Sequence, residues 1–235
     1  MKKDNQTIFD DKENELVLKF FSIIDEFASV TRYSKNRPIK EENNLEHTGF
    51  VTLFSYLIGI DLQNQFNIKI DFGKLLSGAV CHDMDETLTG DIPRPTKYYS
   101  KELRETIGKV ELDSIKKLAG ILGHKEGSKN LIDDWMNAKG TATVEQVIVK
   151  MADLVGVIYK VWQEMIMLNN NCFLQVAEEI IEIIKSHILN GLGTEFPEIE
   201  LYFLSHLRDC LSLLETCIDS AHPNSGVMPR FIRFP

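Results

Sequence analysis

The sequence predicts an all-α fold, a helical bundle of about seven or eight helices, on three observations. Apolar residues recur at the three-to-four-residue spacing of a helix in nearly every segment. No stretch shows the strict alternation of paired strands. Capping residues, glycines and prolines stand where the spacing stops. With 235 residues, 43% hydrophobic and 26% charged, the chain has the composition and length of one large domain with its own core.

Each element follows from that pattern. Residues 14–31 place Leu16, Val17, Phe20, Phe21, Ile23, Ile24 and Phe27 on one stripe. "LEHTGFVTLFSYLIGIDL" (45–62) is apolar nearly all round, which predicts a central helix. Asp71 suits the N-cap of a helix over 72–88, and Pro93 and Pro95 force a loop behind it. Ser100 caps a charged helix ending near Gly120 or Gly123, and a short helix is expected around 129–138. Thr143 opens a long helix, and two more follow at about 173–190 and 197–219. Residues 1–12 and 221–235 are expected to be a flexible N-terminus and a tail around a domain of 13–220.

Composition narrows the function. The net charge of −9 argues against a protein that coats a nucleic acid polymer, but leaves room for a small phosphorylated substrate held by a few cations. No apolar run reaches the roughly 18 to 20 residues of a membrane span, and the N-terminus lacks the apolar stretch of a secretory signal. A cytoplasmic protein without a membrane partner is therefore expected. The four cysteines (Cys81, Cys172, Cys210, Cys217) show no CxxC spacing and fit reduced, mostly buried thiols.

The chemistry gathers in "AVCHDMDETLTGDIPRPTKYY" (79–99). His82, Asp83, Asp85, Glu86 and Asp91 crowd behind an apolar run, where like charges repel unless a cation or hydrogen bonds hold them. Asp85 is read as facing solvent. His47 sits in another apolar helix, and Asp153 stands among Met151, Ala152, Leu154 and Val155. Each alone is a weak signal, since a core histidine is ordinarily satisfied by a carbonyl. Together, His47, His82, Asp83 and Asp153 make a two-histidine, two-carboxylate set suited to one divalent metal ion such as Mn, Co, Fe, Ni, Zn or Mg. Adjacent residues on a helix diverge by about 100°, so His82 and Asp83 reach one ion only at a helix end or bend.

In that order, H…HD…D, the chain resembles the HD-domain metal-dependent phosphohydrolase superfamily. "HDMDETLTGDIPRPTKYY" is similar to the HD-x-x-E-x-LTGD-x-P-x-P-x-KY signature of its bacterial 5′-deoxynucleotidase branch at every fixed position. "RYSKNRPIKEENNLEHTGFV" (32–51) carries the branch's arginine fifteen positions before the first histidine, and "KMADLVG" its distal aspartate. The resemblance covers about residues 15 to 185.

It implies an HD-domain helical bundle whose metal ligands are His47, His82, Asp83 and Asp153. Glu86 becomes the residue that orients or deprotonates the attacking water, or protonates the leaving oxygen. Arg32, helped by Lys97, grips the phosphate, and Asp91 lies near the sugar. Tyr33 stands where the branch tends to have tryptophan, which leaves the choice between deoxyribose and ribose open. The activity implied is removal of the 5′-phosphate from 2′-deoxynucleoside monophosphates by metal-activated water. A dNTP triphosphohydrolase or pyrophosphohydrolase of the same superfamily is the first alternative. The second is a non-catalytic helical binding module with a structural metal. A deoxynucleotide is the expected small-molecule partner and a homodimer the expected assembly. Phe231 and Phe234 in the tail are a candidate docking anchor, and Arg37 is read as surface.

Overall fold

Described residues 11–123, 125–190 and 196–221 of this computed structural model form ten helices in sequence. These are α1 (Asp11–Ser29), α2 (Asn44–Phe66), α3 (Phe72–Cys81), α4 (Glu86–Thr89) and α5 (Arg94–Lys97), then α6 (Lys101–Ile121), α7 (Lys125–Ala138), α8 (Val144–Trp162), α9 (Leu174–Asn190) and α10 (Pro197–Ala221). Among the described residues there is no strand, only an isolated antiparallel bridge between Thr31 and Asn43. His124 and the tail residues His222, Phe231 and Phe234 lie outside the described residues.

The expected caps form. Asp71, Ser100 and Thr143 accept backbone N–H bonds from Lys74, Leu103 and Gln146 at 3.2, 3.1 and 3.4 Å. Asn43 and Glu46 add a reciprocal capping box at the start of α2. Each such cap stabilises by about 1 kcal/mol.

The helix expected over 72–88 breaks in two. α3 ends at Cys81, His82 to Asp85 form a turn, and α4 resumes at Glu86. The turn lets His82 and Asp83 face the same side, which a continuous helix forbids. α2 packs against both α3 and α8 around Val51, Leu75, Ala79, Val147, Ile148 and Ala152. Its opposite face stays in solvent, with Leu53 60% and Leu57 55% exposed, so α2 is central on one side only. Of the α1 stripe, Phe27 enters the core while Val17, Phe21 and Ile24 are exposed. The thiols also depart from expectation: Cys81 is buried, Cys172 exposed, and Cys210 and Cys217 half-buried.

A buried ion pair ties the loop before α2 to the end of α8. α8 runs into a π-helical turn, Gln163–Met167, that turns Glu164 inward. The Glu164 carboxylate accepts from Lys160 Nζ at 2.8 Å, Asn170 Nδ2 at 2.8 Å, and the backbone N–H groups of Ile39 and Lys40 at 2.9 and 3.0 Å. Lys160 also donates to the Lys40 carbonyl, and Asn170 to that of Arg37. A buried carboxylate this fully bonded is compensated for lost hydration, whereas either half alone is not.

Burial pushes the Glu164 carboxyl up, but Lys160, Asn170 and the two backbone donors outweigh it and bring it down to about 2. A depressed folded-state value means stability that is present above the ordinary carboxylate value of 4.5 and lost as pH falls toward 2. Glu164→Gln is therefore expected to destabilise the fold by about 3 to 5 kcal/mol at neutral pH. Thermal unfolding of both proteins between about pH 6 and pH 3 should show that gap narrowing with acid. A constant gap would contradict the assignment.

Candidate functional site

The site is assembled from a strained loop, a helix start, a turn and a helix middle. Across the Thr31–Asn43 bridge, Arg32 N–H donates to the Glu42 carbonyl at 2.9 Å and Asn44 N–H to that of Val30 at 3.1 Å. The bridge lays Arg32 beside the first turn of α2, where His47 stands. The intervening loop carries two non-glycine residues at positive φ, Tyr33 (57°) and Arg37 (47°). Such geometry is costly for a side-chain-bearing residue and persists only where the surroundings enforce it. Here the Glu164 clamp and a bond from Tyr33 N–H to Asp91 Oδ2 (3.3 Å) enforce it.

His47 reaches α8 because of a glycine. A Cβ on Gly156 would lie 3.0 Å from His47 Cε1, so any larger residue would drive the imidazole away from Asp153, one turn earlier on the same helix. His47 Nε2 lies 3.0 Å from Asp153 Oδ1, and its Nδ1 is 3.4 Å from Glu42 Oε1. His82 is fixed from behind: Nδ1 lies 2.7 Å from the Ala79 carbonyl, an acceptor only, so Nδ1 carries the proton and Nε2 is free to ligate. His82 Nε2 is buried without a hydrogen bond although Asp83 Oδ2 is 3.1 Å away. One ligand atom from each of His47, His82, Asp83 and Asp153 lies within 4.8 Å of all the others. Orphaned imidazole nitrogen and convergent carboxylates fit a divalent cation of the imidazole-and-carboxylate kind.

Charge around this cluster is unevenly balanced. Arg32 Nη1 is 3.1 Å from Asp83 Oδ2 and 3.8 Å from Glu86 Oε2. Burial raises the Asp83 carboxyl, yet His82, Arg32 and Lys139 pull it well below its ordinary value. Asp153 is lowered in the same way, its burial outweighed by the bond to His47. Glu86 moves the other way: burial, Asp83 and Asp91 push it well above its ordinary value against the opposing pull of Arg32 and Asn44. Asn44, fully buried, donates to Glu86 Oε2 at 2.8 Å and aims the carboxyl at Arg32. His47 is pulled down by burial and by Arg32, but its bonds to Asp153 and Glu42 prevail and bring it to about 9.

The structure thus brings His47, His82, Asp83, Asp153, Arg32 and Glu86 to one place, with Asp91 against Tyr33 at its edge. The Tyr33 ring lies 5.5 Å from that of Phe173 and 5.5 Å from the Arg32 guanidinium. Lys97 stands apart from these: it forms an ion pair with the buried Glu111, which also binds Arg104. Asp85, read as facing solvent, is instead buried and accepts from Trp135 Nε1 at 2.6 Å, because α7 packs over the turn. The sequence does not single out Glu42, Asn44 or Lys139. Asn44 and Glu42 lie in a polar loop that carries no periodic signal. Trp135 and Lys139, four apart at the end of α7, read as an ordinary helix terminus.

A family model described as "5'-deoxynucleotidase YfbR-like" matches residues 19–208. The chain belongs to the YfbR-like 5′-deoxynucleotidase family. A 5′-deoxynucleotidase of Yersinia pseudotuberculosis is 25% identical over 205 residues, 86% of this chain and 98% of the relative. One of Vibrio atlanticus is 28% identical over 189 residues, 77% of this chain and 94% of the relative. Among solved structures, an HD-domain phosphohydrolase of Listeria innocua superposes with a TM-score of 0.64 at 21% identity, covering 85% of this chain and 98% of that one. A Pyrococcus horikoshii protein superposes with a TM-score of 0.61 at 18% identity. The fold is accordingly an HD-domain bundle, and membership in the family makes the protein a hydrolase. No helix among the described residues is long and apolar enough to cross a membrane.

A cation can bind only the neutral imidazole of His47, whose proton is held up to about pH 9 in the metal-free site. Binding of Mn²⁺ at neutral pH is therefore expected to release roughly one proton from His47 and to tighten as pH rises toward that value. Calorimetry in buffers of different ionisation enthalpy reads the proton directly. His82→Ala should abolish the metal heat while leaving the helical circular dichroism unchanged.

Proposed function

We propose that this protein removes the 5′-phosphate from 2′-deoxynucleoside monophosphates, with a divalent metal ion held by His47, His82, Asp83 and Asp153. The observation that carries this reading is the convergence of Arg32, Asp83 and Glu86. Arg32 Nη1 lies within 3.8 Å of both carboxylates, so a phosphate-binding cation and an acid–base group share one face of the ligand cluster. A bound divalent cation would supply Lewis acidity toward water and a phosphoryl oxygen at neutral pH.

The chain's own residues do the rest. Arg32 is held by Asp83, Glu86 and Glu42 in a fixed orientation, and its charge persists because Tyr33, Asp83, Glu86 and Asp91 outweigh its burial. It binds the phosphate and offsets charge on the equatorial oxygens. Glu86, with its carboxyl held well above the ordinary range and its Oε2 fixed by Asn44, holds or moves a proton between water and the leaving 5′-oxygen. Asp91 and Tyr33, joined through the Tyr33 N–H, form the wall that meets the sugar, and Asp91 accepts from its 3′-hydroxyl. Lys97 contributes to the phosphate side at most indirectly, through Glu111. The reading as a non-catalytic module has the family itself against it.

Glu86→Gln, nearly isosteric, is expected to lower kcat by about 10²- to 10⁴-fold with KM and metal content retained. Product analysis on dNMPs, NMPs and dNTPs with Mn²⁺, Co²⁺, Mg²⁺ and Zn²⁺ decides the substrate. Inorganic phosphate from dNMPs supports the proposal, whereas tripolyphosphate or pyrophosphate from dNTPs as the dominant product overturns it. Light scattering of the same sample tests the expected homodimer.

A further inference from the structure

One cation at the acidic turn has no part in the reading above. Lys139 directly follows α7, and its Nζ lies 4.0 Å from Asp83 Oδ1 and 3.4 Å from Asp85 Oδ1. Asp85 is itself pinned by the Trp135 indole N–H at 2.6 Å, and the Lys139 ammonium lies 5.2 Å from the centre of that ring. Trp135 and Lys139 are four residues apart, so α7 supplies both the anchor for Asp85 and the cation Asp85 holds. The lysine side chain keeps 35% of its surface while the Asp85 side chain keeps 2%.

The two oxygens of Asp83 are divided between two groups of neighbours. Oδ2 faces His82 Nε2, His47 Nε2 and Arg32 Nη1 at 3.1, 3.8 and 3.1 Å. Oδ1 faces Lys139. Arg32 and Lys139 therefore approach the ligand cluster from opposite edges of one carboxylate. Burial pulls the Lys139 ammonium down, but Asp83, Asp85, Glu111 and Glu86 prevail and hold it above its ordinary value, so it is charged at neutral pH. A tetrahedral dianion seated against the cluster presents oxygens toward both edges, and a lone arginine serves only one.

We infer that Lys139 is a second phosphate-binding cation, set opposite Arg32, and that Asp85 and Trp135 position it. The inference rests on the reading of the cluster as a phosphohydrolase site. It also explains why Lys97, occupied by Glu111, is not needed there.

Inorganic phosphate is the probe, because its binding requires no turnover. Its dissociation constant from the Mn²⁺-loaded protein, read by paramagnetic broadening of the phosphorus resonance, is expected to rise about tenfold or more in Lys139→Met. Mn²⁺ content should stay at the wild-type level, and KM for a dNMP should rise by more than kcat falls. Lys139→Arg should restore most of the phosphate affinity. Trp135→Phe, which removes the N–H held by Asp85 together with part of the ring, should weaken phosphate binding less, and not at all in the Lys139→Met background. If the methionine variant folds poorly by circular dichroism, Lys139→Gln takes its place. An unchanged phosphate dissociation constant overturns the inference, as does a loss that merely tracks lost Mn²⁺. Lys139-dependent phosphate binding without hydrolysis of any dNMP would sink the nucleotidase reading while leaving the role of Lys139 intact.

Discussion

Asp83 is a half-buried carboxylate that its neighbours keep ionised, and most of the site is arranged to that end. Burial by itself pushes its carboxyl up. His82, Arg32 and Lys139 converge from three elements and reverse that tendency. Each of these groups then needs its own support. His82 leans on the Ala79 carbonyl, Arg32 on Glu42 and Glu86, and Lys139 on Asp85 and Trp135. Burial, together with the concentration of negative charge at Asp83 and Asp91, raises the Glu86 carboxyl well above its ordinary value. One site thus holds two carboxyls three residues apart whose surroundings push them in opposite directions.

The geometry depends on parts of the chain far from the chemistry. Arg32 is delivered by a loop whose backbone is strained at Tyr33 and Arg37. That loop is held by Glu164, in a π-helical turn more than a hundred residues further along. The Lys160–Glu164 pair is buried and fully bonded, and its most direct product is a fixed path for residues 37–40 rather than net stability. Gly156 acts on the same interface from the other side, since the absence of a side chain lets α2 and α8 approach until His47 meets Asp153. Conformational strain at Tyr33 and Arg37 and an ion pair in the core are therefore two ends of one mechanical connection.

Much of this was legible in the sequence, for a definite reason. His47, His82, Asp83 and Asp153 are polar residues in apolar helical runs, where an uncompensated charge is expensive, so each advertises itself as a misfit. The bend that lets His82 and Asp83 converge was required by the helical period before it was seen as a turn between α3 and α4. Lys160 and Glu164 carry a similar signal, an ion pair at i,i+4 within an apolar stretch. Asp85 and Lys139 carried none. An aspartate beside a loop and a lysine after a helix are the commonest of surface residues, and only the packing of α7 over the turn makes them neighbours.

The sequence by itself determined most of the helices, their caps and the residues of the cluster that could hold a metal, because periodicity, capping and the cost of burying charge are local properties of the chain. Tertiary structure alone decided which cations face which oxygen of Asp83, that Lys97 is occupied by Glu111, and that Asp85 is buried. Those outcomes depend on distances between residues that do not adjoin along the chain, as in the contacts of Asp85 with Trp135 and of Lys97 with Glu111. Electrostatic partnership falls off over a few ångströms of space, and separation along the chain carries no record of it.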